Sequence, residues 1–132
     1  MIEGRCSCGK VRYQYDGDIT EISMCHCEQC RLAQGSAFAA VCPVDDERLH
    51  FSGAEHIKTY QSSGTKVRAF CEHCGSPLYS ANIELPNIKR LRVGTVTSPF
   101  SCNKQFHIYT DSMASWHSIT DGFIQHKNNK PQ

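Results

Sequence analysis

The chain has 132 residues, with 14 Lys+Arg against 13 Asp+Glu and a formal charge of +1. This length fits one small domain, since domains usually run ~100–200 residues, and the near-neutral balance argues against a nucleic-acid footprint or a polybasic membrane patch. Nine cysteines amount to about 7%, below the ~8–10% of small disulfide scaffolds, and an odd number excludes complete pairing. Met1–Lys10 has no apolar signal-peptide core and no run nears ~18 apolar residues. A reducing, cytoplasmic setting is therefore expected, where clustered cysteines signify metal or catalysis.

In chain order, short strand-like runs alternate with turn residues. Val11–Tyr15 alternates and stops at Asp16-Gly17, a strong turn pair. Glu28–Gln34 reads as a short helix closed by Gly35. Ser36–Val41 is strand-like and ends at Pro43. Leu49–Phe51, Ile57–Gln61, Val67–Phe70, Leu78–Ala81, Leu91–Val96 and Phe106–Tyr109 complete the set. So many short strands predict an all-β, β-rich fold built from hairpins. One domain is expected over residues 1–125. The polar segment 126–132, which lacks aromatics, is expected to be a disordered tail.

Seven cysteines fall into three groups: Cys6/Cys8, Cys25/Cys27/Cys30 and Cys71/Cys74. Zinc takes four tetrahedral ligands in structural sites and keeps an open position in catalytic ones, so seven divides as four plus three. Gly9 follows Cys8 and Gly75 follows Cys74. A glycine there tolerates positive φ and lets backbone N–H groups turn toward thiolates. This shared knuckle chemistry pairs Cys6 and Cys8 with Cys71 and Cys74, although spacing alone leaves open which pairs share an ion. The competing reading, free thiols without metal, is weaker for Cys71/Cys74 than for the isolated Cys6/Cys8.

Cys25, Cys27 and Cys30 lie within six positions and leave no obvious fourth ligand. His26 between them is expected to point away from an ion held by its neighbours. His73 is expected to be a solvent-facing knuckle residue. Either Cys42 or Cys102 would close the three-cysteine site and make it structural. Three thiolates on Zn²⁺ leave a charge of about −1, a weak Lewis acid and a poor source of hydroxide, better suited to holding a soft substrate thiolate. Thiol chemistry is therefore favoured over hydrolysis.

These residues resemble the glutathione-dependent formaldehyde-activating family of the Mss4-like superfamily. The resemblance is carried by Cys6-Ser7-Cys8-Gly9, by Cys25 through Arg31 with Gly35-Ser36-Ala37-Phe38, and by Phe70 through Leu78. Val93-Gly94-Thr95, and His107-Ile108 ahead of Trp116, extend it over nearly the whole chain. It implies a β-tent of small stacked antiparallel sheets with zinc knuckles and two zinc ions. The structural ion maps onto Cys6, Cys8, Cys71 and Cys74, and the catalytic one onto Cys25, Cys27 and Cys30. The implied activity is that of a carbon–sulfur lyase joining glutathione and formaldehyde into S-hydroxymethylglutathione.

Arg31, Gln34 and Ser36 are candidate contacts for the carboxylates or amides of such a thiol, arginine being suited to bidentate carboxylate recognition. A solvated helix end is the competing reading. Trp116, Tyr79, Phe38 and Phe70 read as packing residues, and His107 as a structural histidine before a proton shuttle. Two other functions compete with the lyase. One is a non-catalytic protein-interaction module with two structural zincs, which a fourth ligand such as Cys102 would favour. The other is a zinc-ribbon nucleic-acid binder, against which the charge balance argues. Neither nucleic acid nor membrane is expected as a partner.

Overall fold

The computed structural model describes residues 1–130. Eleven strands are present: β1 (Ile2–Arg5), β2 (Arg12–Tyr15), β3 (Ile22–Cys25), β4 (Ala39–Asp45), β5 (Leu49–Ser52), β6 (Ile57–Ser63), β7 (Lys66–Cys71), β8 (Pro77–Asn82), β9 (Ile88–Arg92), β10 (Gln105–Ile108) and β11 (Ile124–Gln125). One α-helix, α1, spans Glu28–Gln34. The fold is all-β, as the sequence pattern predicts. Strands β1-β2-β5 form a small antiparallel sheet, and the remaining eight form a sheet in the order β11-β10-β3-β4-β9-β8-β7-β6.

Alternation along the strands separates two faces of the large sheet. On one, Ile22, Cys42, Val44 and Leu91 pack with Ile2, Tyr13, Tyr15 and Leu49 of the small sheet into the principal core. On the other, Cys25, Val41 and the α1 residue Cys30 pack with Phe106 and Ile108. Cys25 and Cys30 therefore lie on the face turned away from the small sheet, whereas Cys6 and Cys71 pack with Phe51 of β5. Each large side chain buried in these clusters is worth roughly 1.5–3 kcal/mol.

The differences from the sequence expectation have local causes. All four residues of β3 are buried, so the strand lacks the polar–apolar alternation that marks half-buried strands. β4 begins at Ala39 and runs through Pro43. Its pairing with β3 ends at Val41, while β9 continues along the other edge to Asp45, so a missing N–H is tolerated at Pro43. The Leu91–Val96 run leaves the sheet at Arg92: Val93–Thr95 forms a 3-10 turn, with the Thr95 hydroxyl donating to the Arg92 carbonyl at 2.8 Å.

The sheets are not wholly antiparallel or uniformly small. β10 lies parallel to both β3 and β11. A parallel pair requires a long crossover, and here most of the chain separates β3 from β10, a relation that local sequence does not carry. The described part of the segment expected to be a disordered tail is hydrogen-bonded to the body. His126 N–H donates to the His107 carbonyl at 2.9 Å, the Asn128 carbonyl accepts from Tyr109 N–H at 2.9 Å, and Lys130 Nζ reaches Glu21 Oε2 at 2.7 Å. The rest of that expectation, residues 131–132, lies outside the described residues. Among the described residues no helix is long and apolar enough to cross a membrane.

Candidate metal centres and active site

Cys6 leaves the end of β1, and Cys8 follows in the next turn. Cys71 ends β7, and Cys74 lies in the turn to β8. Their four sulfurs lie within 4.8 Å of one another. The Cys6–Cys8 and Cys8–Cys71 Sγ separations are 3.6 and 3.8 Å, and thiolates ~2.3 Å from one tetrahedral zinc stand ~3.8 Å apart. Gly9 and Gly75 have φ of 79° and 78°, the left-handed conformation that the knuckle requires. Val11 N–H points at Cys6 Sγ at 3.3 Å, and Ser7 N–H donates to the Ser76 hydroxyl at 2.9 Å, joining the two turns.

Lys10 N–H pulls Cys8 down, but burial and the crowding of Cys6, Cys74 and Cys71 prevail and push it up to about 11. Cys74 feels burial in the same direction, yet hydrogen bonds from Ser76 and backbone donors hold it at about 5. A bound cation would displace the protons that such thiols carry. The donor set and its spacing fit a metal ion with four protein ligands.

The second centre is built by β3 and α1. Cys25 closes β3 on the face away from the principal core. Cys27 is the helix N-cap, its sulfur accepting from Cys30 N–H at 3.4 Å, and Cys30 lies one turn on. Gly35 closes the helix, its N–H bonded to the Arg31 carbonyl at 2.8 Å. The three sulfurs lie within 4.8 Å of one another. Cys25 is driven up by its hydrogen bonds to Cys27 and Cys30. Cys30 is driven down by its hydrogen bonds to Cys25 and Cys27, with help from Arg68. This donor set also fits a soft metal ion, with three protein ligands.

Neither lone cysteine joins it. Cys42 points into the principal core, opposite in the β4 pleat to Val41, and Cys102 packs beside that core. Burial, followed by the charge of Cys102, pushes Cys42 up to about 12.

A cavity of about 550 Å³ opens beside the three thiols. Its floor is a cross-strand array on the same sheet face: Ser23 of β3, Arg90 and Arg92 of β9, and Ser80 of β8. Arg92 is 3% exposed and donates to the Ser80 hydroxyl at 3.2 Å. Burial lowers its pKa to about 10, against the pull of Cys30. Arg68 of β7 sits opposite Ser80 in the register. It is 4% exposed, reaches Cys30 Sγ with Nη2 at 3.7 Å, and leaves Nε and Nη1 without a protein partner. Tyr109, also on the rim, is the one non-glycine residue with positive φ (57°) among those described.

The expected substrate contacts are placed differently. Arg31, Gln34 and Ser36 do not line this cavity. Ser36 is exposed, and Gln34 instead lines a smaller cavity of about 110 Å³ with Arg68 and Arg92. The arginines at the thiols come from β7 and β9, whose positions beside Cys30 depend on sheet order and leave no local signal. His26 points away from the sulfurs, as expected, and is fully buried. Its Nε2 lies 2.8 Å from His107 Nδ1, and His107 Nε2 lies 2.8 Å from Asp121 Oδ2. Burial, then the neighbouring charges of His107 and His117, lowers His26 to about 4. No local sequence signal joins these three residues. Trp116, expected as packing, is 72% exposed.

The model of the glutathione-dependent formaldehyde-activating enzyme family matches residues 1–112. The chain belongs to that family. A Schizosaccharomyces pombe protein named an uncharacterized lyase is similar to this family member, with 34% identity over 79 residues. The match covers 60% of the chain and only 56% of the relative's length. A crystal structure of a Rhodobacter sphaeroides protein shares the fold with TM-score 0.62 and 21% identity, covering 94% of this chain and 98% of that one.

Proposed function

We propose that the protein is a carbon–sulfur lyase acting on a thiol adduct, similar to S-(hydroxymethyl)glutathione synthase, with its chemistry at Cys25, Cys27 and Cys30. One observation carries the reading: three thiols converge beside a 550 Å³ cavity without a fourth protein ligand among the described residues. Family membership and the lyase-named relative support the reaction class. A zinc ion bound there would supply a soft Lewis acid, able to hold a substrate thiol as thiolate at neutral pH.

The chain's own residues prepare that position. Cys27 does two jobs at once, capping α1 and presenting its sulfur. The buried Arg68 guanidinium offsets the negative charge of the thiolates through Cys30, and the partly buried α1 holds Cys27 and Cys30 at fixed spacing. Arg90 and Arg92, with Lys66 at the margin, give the cavity a cationic lining that suits an acidic thiol such as glutathione. Ser80 fixes the Arg92 head. The site's low-dielectric apolar wall, from Val41 and Ile108, strengthens each of these interactions. The four-cysteine centre serves the scaffold.

The test pairs metal analysis with NMR detection of the glutathione–formaldehyde adduct, on native and chelator-treated protein. Two cysteine-held ions per chain with accelerated adduct turnover, lost on chelation, is the expected result. Full activity in Cys27→Ser after loss of its second ion would sink the assignment. A fourth ligand such as Cys102 would favour the non-catalytic module, and the placement of that residue beside the Cys42 core supports the lyase.

A further inference from the structure

A third group of ligating side chains lies outside both cysteine centres. His56 ends the 3-10 turn Ala54–His56 that leads into β6, and Glu72 and His73 occupy the turn after β7. Ile57 pairs with Cys71 as the last rung of the β6–β7 ladder, and Glu72 N–H then donates to the His56 carbonyl at 2.8 Å. The backbone thus fixes these residues as neighbours. His73 is held by the knuckle turn, which the Gly75 N–H to Cys71 carbonyl bond closes at 2.8 Å.

Three ligand atoms converge there. His73 Nε2 lies 3.2 Å from His56 Nδ1, and Glu72 Oε1 lies 3.6 Å from His73 Nε2 and 3.8 Å from His56 Nδ1. Nitrogen and oxygen ligands ~2.0–2.2 Å from a tetrahedral ion stand ~3.3–3.6 Å apart, so the three atoms span close to one triangular face of such a shell. Two of their remaining polar atoms face charged neighbours. His56 Nε2 faces Glu55 Oε1 at 3.7 Å, and Glu72 Oε2 faces Lys58 Nζ at 3.9 Å. A carboxylate toward the far nitrogen of a ligating histidine is the usual outer partner, because it sets the tautomer that leaves the near nitrogen free to bind.

We propose that His56 Nδ1, His73 Nε2 and Glu72 Oε1 form a third metal site, for a borderline divalent ion such as zinc, with water completing the shell. Two imidazoles and one carboxylate match that ion class and not magnesium or calcium, which take oxygen ligands. The site lies at the surface, next to the four-cysteine centre. An ion there would tie the start of β6 to the knuckle between Cys71 and Cys74.

The experiment titrates zinc into protein whose two cysteine centres are already filled, following heat by calorimetry and ion count by native mass spectrometry. A third equivalent is expected in the native protein. His56→Ala lies outside the knuckle and should keep two ions while weakening the third at least ~10-fold. Glu55→Gln should weaken it less. If His56→Ala also sheds a cysteine-held ion, Glu72→Gln decides by the same readings. No third equivalent, or one whose affinity is unchanged in His56→Ala or Glu72→Gln, overturns the proposal.

Discussion

The four-cysteine clip and the three-cysteine face share one ligand chemistry and differ in what they connect. Cys6 and Cys8 meet Cys71 and Cys74 across more than sixty residues, so a bound ion closes a long loop and contributes to folding. Cys25, Cys27 and Cys30 lie within six positions, on one strand end and one helical turn. An ion there closes no long loop. Its surroundings are a cavity and two buried arginines. Loop span and surroundings, rather than ligand type, separate the two centres.

That contrast is open to direct attack. The largest effect is expected from Cys71→Ser, which should cost the clip its ion and roughly 3–5 kcal/mol of stability, read by metal analysis and thermal unfolding. A variant that keeps its native melting temperature would erase the distinction. Cys27→Ser should do the reverse. Its activity on a thiol adduct should fall at least ~100-fold, beyond the ~10–100-fold typical of outer partners, while stability changes by less than ~1 kcal/mol.

Arg68→Gln sharpens the second half of the comparison. With the guanidinium gone from Cys30 Sγ, the three-cysteine face should bind its ion ~10–100-fold more weakly, and competition with a chromogenic chelator would measure the loss. The clip's affinity should not move. Equal weakening at both centres would mean that Arg68 supports the sheet and not the site.

The smallest effect belongs to an ion-pair group away from both centres. Burial pushes Glu21 up, but the hydrogen bond and charge of Lys130 and the charge of Lys104 outweigh it and hold the carboxyl below its ordinary value. A depressed folded pKa contributes stability that is present above the unfolded value of ~4.3 and lost as pH falls through the folded one. Glu21→Gln should therefore cost at most ~1 kcal/mol at neutral pH, with the difference from native protein vanishing in acid. A difference that instead grew as pH fell would reverse the sign assigned to the pair.

The site residues divide by how far their evidence reaches along the chain. Cys25, Cys27 and Cys30 were legible because spacing within one turn and one strand end determines whether sulfurs can meet. The β-class was legible from short apolar runs bounded by turn residues, and α1 from its closing glycine. The clip was legible only through its two trailing glycines, whose left-handed φ is a local requirement that both knuckles share.

Arg68, Arg92 and Ser80 could not be read in this way. They reach the thiols because β7, β8 and β9 follow β4 across the sheet and the pleat turns their side chains to the same face. The parallel pairing of β3 with β10 likewise brings His26 to His107. The donor chemistry, its grouping and the β-rich class are therefore written locally, because they depend on residue type and short spacing. Which charges face the three thiols, the turn of Cys42 and Cys102 toward the core, and the meeting of His56 with His73 arise from long-range folding. Those outcomes depend on strand order and register, which no short stretch of the chain encodes.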